Sequence, residues 1–316
     1  MNHIPYITSD SLAIKPTWQG AVDAIVAGHA LPKARIADSV LERGSQRLLS
    51  RAAWIDGLGL AVKTATIYPD NPGKGGSLPS VQGACMLFDD VTGQPSAIID
   101  SQLLTYWKTA ADSVLGAKLV GPTHPSHLVI IGAGQVARSL LGAYAALFPS
   151  LCTITICARR LAAAGKLIAE VSIDDLELRA SDQPEAMVPT ADIVATATTS
   201  STPVLQGEWL KPGAHVDLVG AYSLTMREAD NATLQRGAIY VDSRETTVRH
   251  IGDLAMPIEA GVIGTDDVLA DFYDLLANDQ AVPVDKVDGE GITVFKNGGG
   301  AHLDLMVAQF LRSLHA

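Results

Sequence analysis

The chain has 316 residues, 47% of them hydrophobic and 18% charged, with a formal net charge of −11. That length suits one large or two ordinary domains around a sizeable core. The acidic balance argues against nucleic acid or an anionic membrane as partner, because both demand basic patches.

No apolar run approaches the ~18 residues a membrane helix needs. The opening residues, MNHIPYITSD, lack the basic and apolar regions of a signal peptide. The expectation is a cytoplasmic protein that must gather positive charge locally if it binds anions. Cys85, Cys152 and Cys157 have no CxxC spacing and the eight histidines no paired metal spacing, so no metal site is expected. Cys152 and Cys157 read as reduced core residues of an apolar strand, and the histidines as surface or core-edge residues.

In chain order, a helix is predicted around Trp18–Gly28, then strands over 46–54 and 58–68. In GLGLAVKTATIYP (57–69) the alternation places Lys63 on one face with Ala61, Ala65 and Ile67, opposite Leu58, Leu60 and Val62. A lysine among small apolar residues is either part of a solvated outer face or a cation aimed into a pocket. A glycine-rich loop (69–80) leads into two strands joined by a turn at Asp89–Gly93. A helix then runs through SQLLTYWKTAADSVLGAKLV, with Ser101 its candidate N-cap. GPTHPSH (121–127), with two prolines and a glycine, is the clearest linker.

From Leu128 the pattern becomes strand–helix alternation, with short apolar strands at HLVIIGAG, CTITICA, DIVATAT, AHVDLVG and AIYVDS. Such strands imply a parallel sheet covered on both faces. Its first βα turn reads Gly132-Ala133-Gly134-Gln135-Val136-Ala137, a GxGxxA form of the dinucleotide fingerprint. Gly132 permits the tight turn, Gly134 lets backbone approach a pyrophosphate, and Ala137 keeps helix and strand close. The free N–H groups at the helix start, from Gln135 and Val136 onward, bind the anion. At the end of the next strand, Ala158 stands where an NAD site places an acid, followed by Arg159 and Arg160. Two guanidiniums and no carboxylate suit a 2′-phosphate, so NADP is expected, with NAD the alternative.

The sequence resembles the ornithine cyclodeaminase/mu-crystallin family nearly end to end. The resemblance is carried by LPKAR, GLGLAVKTATIYP, LPSVQGACMLFDDVTGQPSAIIDSQLLT, KTAADS, VIIGAGQVARSLL, GEWLKPGAHVDLVGA, VDSRE and ITVFKNGGGAHLDL. It implies an α/β protein with a Rossmann dinucleotide-binding domain (121–291). A substrate-binding and dimerising α+β domain is built from both chain ends (1–120 and 292–316), giving a homodimer. It implies a nicotinamide cofactor, and a small carboxylate-bearing imino or amino acid as substrate.

Lys63 matches the family lysine that meets substrate carboxylate and imine nitrogen, and Asp304 an acid that could orient it. Arg35 matches a carboxylate-binding arginine, with Arg43 or Arg47 as competitors for that register. Thr198, Gly220 and Asn297 match residues lining the site.

Departures from the family pattern narrow the chemistry. Lys108-Thr109-Ala110-Ala111 stands where members read Arg-Thr-Ala-Ala, which keeps the charge but loses the planar fork for a carboxylate. Val81 replaces a polar residue. Tyr222 stands where ornithine cyclodeaminases carry an acid at the substrate amine; an unpaired buried δ-ammonium would cost several kcal/mol. Arg51 stands where proline is common. The expected activity is therefore reduction of a small imino acid, of ketimine or pyrroline-2-carboxylate type. Ornithine cyclodeaminase, an amino-acid dehydrogenase, and a low-activity cofactor and small-ligand binder are the alternatives.

Overall fold

The computed structural model describes residues 4–71, 78–173, 175–277 and 291–315. Half of the glycine-rich loop expected at 69–80, residues 72–77, lies outside them. The chain divides into two compact units, Met1–Lys108 with Gly300–Ala316, and Thr109–Gly299.

Both boundaries differ from the expected ones. The first falls inside a helix rather than at 121–127, because that helix's second half belongs with the second unit. There Asn297 Nδ2 donates to Thr109 O and Ser113 Oγ, both at 3.0 Å. The second boundary moves to 299/300 because ITVFK is a strand of the second unit's sheet.

The first unit is built on a six-stranded sheet. Its strands are β1 (Tyr6–Ile7), β2 (Arg35–Arg43), β3 (Gln46–Ile55), β4 (Gly59–Ile67), β5 (Val81–Phe88) and β6 (Pro95–Asp100), in the order β1-β6-β5-β4-β3-β2. Strands β2 to β6 form an antiparallel meander, and β1 joins β6 in parallel.

The period of two decides which face is covered. Ala53, Ile55, Ala61, Ala65, Cys85, Leu87 and Ile99 are buried on one face. The C-terminal helix (Ala301–Ser313) packs on the sheet, and α1 (Trp18–His29) packs on that helix. The two helices approach so closely at Gly28 that a Cβ there would lie 2.4 Å from Met306 Cγ.

Thr17 caps α1 by accepting from Gly20 N at 3.1 Å. Asp89 holds the β5–β6 turn by accepting from Thr92 N and Oγ1. The long helix α2 (Ser101–Val120) is capped by Asp100, whose Oδ1 accepts from Leu103 N at 2.8 Å, and not by Ser101. A carboxylate one residue earlier reaches the third N–H of the helix.

Among the described residues the second unit has eight strands, all parallel: β7 (His127–Ile131), β8 (Thr153–Cys157), β9 (Glu177–Ser181), β10 (Ile193–Thr196), β11 (His215–Leu218), β12 (Gly237–Val241), β13 (Val268–Ala270) and β14 (Ile292–Lys296). Their order is β13-β12-β14-β11-β10-β7-β8-β9. The run β9-β8-β7-β10-β11 is the Rossmann order, wound by α3 (Gln135–Leu147) and α4 (Leu161–Ala169). Strand β14 inserts between β11 and β12, with every residue buried.

Cys157 is buried in β8, but Cys152 is exposed, because the strand begins one residue later, at Thr153. His29, His215 and His302 are buried rather than at the surface. His215 is accommodated by a 2.8 Å hydrogen bond to Thr293, and burial pushes its pKa down to about 3, so it is neutral.

Candidate active site

Lys63 points to the covered face of the first unit's sheet. Its Nζ donates to Asp304 Oδ1 at 3.0 Å and to Thr105 Oγ1 at 3.3 Å. The lysine side chain is 16% exposed and that of Asp304 2%. The opening turn of the C-terminal helix therefore carries the counter-ion, and the first half of α2 adds a hydroxyl. The second carboxylate oxygen of Asp304 is buried and makes no hydrogen bond among the described residues. Cys85 is directly opposite Lys63 on β5. Burial, and then the Asp304 charge, push its thiol up to about 12, so it stays protonated at neutral pH.

More positive charge collects around this lysine. Lys108 is buried and stands one helical turn beyond Thr105, on the same side of α2. Arg51 is directly opposite Lys63 on β3. Burial, then His29, Lys108, Arg51 and Lys33, hold His302 well below the usual histidine range. Three of those four neighbours are lysine or arginine side chains.

The structure does not bring Arg35 to this place. It pairs with Trp54 on the opposite face of the sheet, stacks on that indole, and is bridged to the exposed Asp56 at 3.1 Å. The strand period explains the difference: Ile36, not Arg35, shares the face of Lys63. Arg43 and Arg47 stay on the exposed hairpin, bonded to Gln46 and Glu42 respectively. The cation that LPKAR contributes towards His302 is Lys33.

In the second unit, the GxGxxA turn has the form its residues imply. Gly132 adopts φ +135°, and a Cβ on it would lie 2.3 Å from Ala197 O. Gly134 ends the turn, exposed, with no atom within 4 Å of where its Cβ would be, and no side chain caps the start of α3. Ala137 is fully buried against the sheet. An open glycine before a 13-residue helix with uncapped N–H groups fits a dinucleotide pyrophosphate. Gln135 and Val136 open that helix. Arg159 and Arg160 are exposed at the end of β8.

A buried ionic network holds the neighbouring strand ends, and the sequence reading did not find it. Glu228 accepts from Thr196 Oγ1, Thr198 N, Thr198 Oγ1, Gly220 N and Ala221 N, at 2.6–3.1 Å. It thus ties together the expected lining residues Thr198 and Gly220. Lys296 is fully buried; it donates to Leu218 O and Ala221 O and pairs with Asp253 at 3.2 Å. Asp253 in turn accepts from Glu228 N at 2.7 Å. Lys296, a charge closing the otherwise apolar run ITVF, carried the signal in the sequence. Tyr222 is 54% exposed in the loop after β11.

Comparison with known proteins agrees with this layout. Residues 35–314 match the model of the ornithine cyclodeaminase/mu-crystallin family. A Delta(1)-pyrroline-2-carboxylate reductase from Paracoccus denitrificans is 46% identical over 300 residues, covering 95% of this chain and 93% of that one. The structure of Thermococcus litoralis Delta(1)-pyrroline-2-carboxylate reductase in complex with NADH and L-proline superposes with a TM-score of 0.88. It has 25% identity and covers 98% of this chain and 97% of the other. An archaeal alanine dehydrogenase dimer with bound NAD gives 0.87 at 26% identity, over 98% and 95% of the two chains. The chain belongs to the ornithine cyclodeaminase/mu-crystallin family.

Proposed function

We propose that the protein is an NAD(P)H-dependent imine reductase acting on a small cyclic imino acid of the pyrroline-2-carboxylate type. The observation that carries this reading is Lys63, held by a buried Asp304 on the covered face of the sheet with further cations around it. The substrate carboxylate supplies an anion for the surrounding cations. The similar reductases support the reaction class. A reduced nicotinamide cofactor, when bound, supplies the hydride that the imine carbon accepts.

The chain's own residues do the rest. Lys63 and Lys108 attract the carboxylate, and Lys63 Nζ delivers the proton that the nitrogen needs to become an amine. Asp304 fixes the ammonium and offsets positive charge on the nitrogen. In the second unit Gly132, Gly134 and the start of α3 would cradle the pyrophosphate. Arg159 and Arg160 would meet a 2′-phosphate, which favours NADP over NAD.

Tyr222 brings no carboxylate to pair with a δ-ammonium, which disfavours ornithine as substrate. Three free cysteines agree with a reducing, cytoplasmic setting.

The functional unit in this reading is a homodimer. The sheet face opposite Lys63 carries an apolar cavity of about 390 Å³ lined by Ala37, Ala52, Trp54, Leu60, Val62 and Phe88. A second copy of the chain would cover it.

The deciding experiment follows NADPH absorbance with pyrroline-2-carboxylate, then repeats it with NADH. Oxidation of cofactor with proline as product supports the reading. Absence of turnover with this imine, and with the six-membered ring imine, rejects it. Preference for NADPH that disappears in an Arg159→Ala/Arg160→Ala variant supports the 2′-phosphate assignment; an unchanged preference removes it.

A further inference from the structure

The reductase reading leaves Arg51 without a task, although the fold builds an unusual setting for it. Residues directly opposite each other across two antiparallel strands have Cβ atoms about 4.5–5.5 Å apart, and like charges there are destabilising. Arg51 and Lys63 are such a pair. Neither escapes to solvent: their side chains are 18% and 16% exposed.

Each cation is balanced from its far side by a separate carboxylate. Asp38, directly opposite Arg51 on β2, takes its Nε and Nη2 on one oxygen at 2.9 and 2.8 Å. Asp304 takes Lys63 from the helix above the sheet. Across the face the row reads Asp38, Arg51, Lys63, Cys85, so the two positive charges are innermost and adjacent. Their carboxylates balance the charge but leave the two cations side by side. A bound anion would meet both.

Resting on the reductase reading, we propose that Arg51 and Lys63 form a two-cation subsite for the substrate carboxylate, and that Arg51 makes this protein selective for imino acids over imines without a carboxylate. The guanidinium supplies on β3 the planar donor fork that is missing from α2, where lysine stands at position 108. Asp38 acts as a positioning residue: it aims the guanidinium and holds its charge when no substrate is present.

The test compares wild type, Arg51→Met and Arg51→Lys on pyrroline-2-carboxylate and on 1-pyrroline, which lacks the carboxylate, with NADPH as reductant. Loss of one charge-assisted interaction should raise the KM of Arg51→Met for the imino acid about 10- to 100-fold. Its kcat, its KM for NADPH and its use of 1-pyrroline should stay near wild type. Arg51→Lys should recover part of the loss. An unchanged KM for the imino acid, or an equal fall with both imines, overturns the assignment.

If Arg51→Met does not fold, a KM for Arg51→Lys raised for the imino acid alone supports the proposal, and an unchanged one overturns it. If wild type reduces neither imine, the reductase reading fails separately. Calorimetric binding of pyrrole-2-carboxylate then decides the subsite: weaker binding by Arg51→Met supports it, and equal or absent binding by both proteins overturns it.

Discussion

Lys63 shows how far a single residue can be read. Alternation in GLGLAVKTATIYP fixed its face, and the structure put Asp304, 241 positions away, at 3.0 Å from its Nζ. Replacing Lys63 by alanine should lower kcat/KM for the imine by about 100-fold or more, the usual size for loss of a positioned proton donor. Cofactor affinity measured by fluorescence quenching should not change, since the dinucleotide cradle uses other residues.

The partners of this lysine were only partly legible. Asp304 was expected through resemblance. Arg51 could not be assigned, because its role depends on which residue of β3 lies opposite Lys63, and register is a property of the folded hairpin. Arg35 was misplaced for the same reason: one step along a strand reverses the face.

Among elements, β11 and β14 show what buried charge demands. In β11, burial pushes Asp217 up to about 7 despite a 2.9 Å hydrogen bond from Tyr144, while His215 is depressed to about 3. A carboxyl whose pKa is raised on folding stabilises most below its unfolded value near 4, and that stability is lost as pH rises through 7. The histidine acts in the opposite sense, losing stability as pH falls from 6.5 towards 3. Asp217→Asn should therefore remove a contribution worth up to about 4 kcal/mol that is lost between about pH 4 and 7, so that the Tm of the variant rises relative to wild type as pH increases through that range. The acidic flank set by His215 should remain. Differential scanning fluorimetry across that range checks both.

In β14, Lys296→Met should destabilise by about 3–5 kcal/mol in urea titrations, because Asp253 and Glu228 would stay buried without their cation. Alternation and apolar runs located most strands. They missed β2, which is exposed on both faces and shows no period, and the short strands β1, β9 and β13. They also left ITVFK with the wrong domain, since a fully buried strand carries no mark of which sheet receives it.

At the scale of the whole molecule, the first unit presents apolar surface that its own helices leave bare. Leu48 and Trp54 on the outer face, and Val40 and Leu41 on the edge strand β2, are each at least 37% exposed. An edge strand with exposed apolar side chains invites another chain unless it is covered. Sedimentation velocity should find a dimer at micromolar concentration, and Trp54→Glu should shift it towards monomer. A wild-type monomer would remove the dimer from the proposed function.

The insertion of β14 also sets a timetable for biosynthesis. While the ribosome is still making residues before 292, the second sheet can assemble only as two separate pieces, the run β9-β8-β7-β10-β11 and the pair β12-β13, and β11 has no neighbour on its far side. Strands β12 and β13 already exist by then, but their place in the sheet depends on a segment not yet translated. The first sheet waits even longer, because its covering helix ends at Ser313. Both units thus wait on the same stretch of chain, residues 292–313. A nascent chain stalled near residue 290 should be cut by protease throughout, whereas release of the finished chain should bring protection to both halves at once.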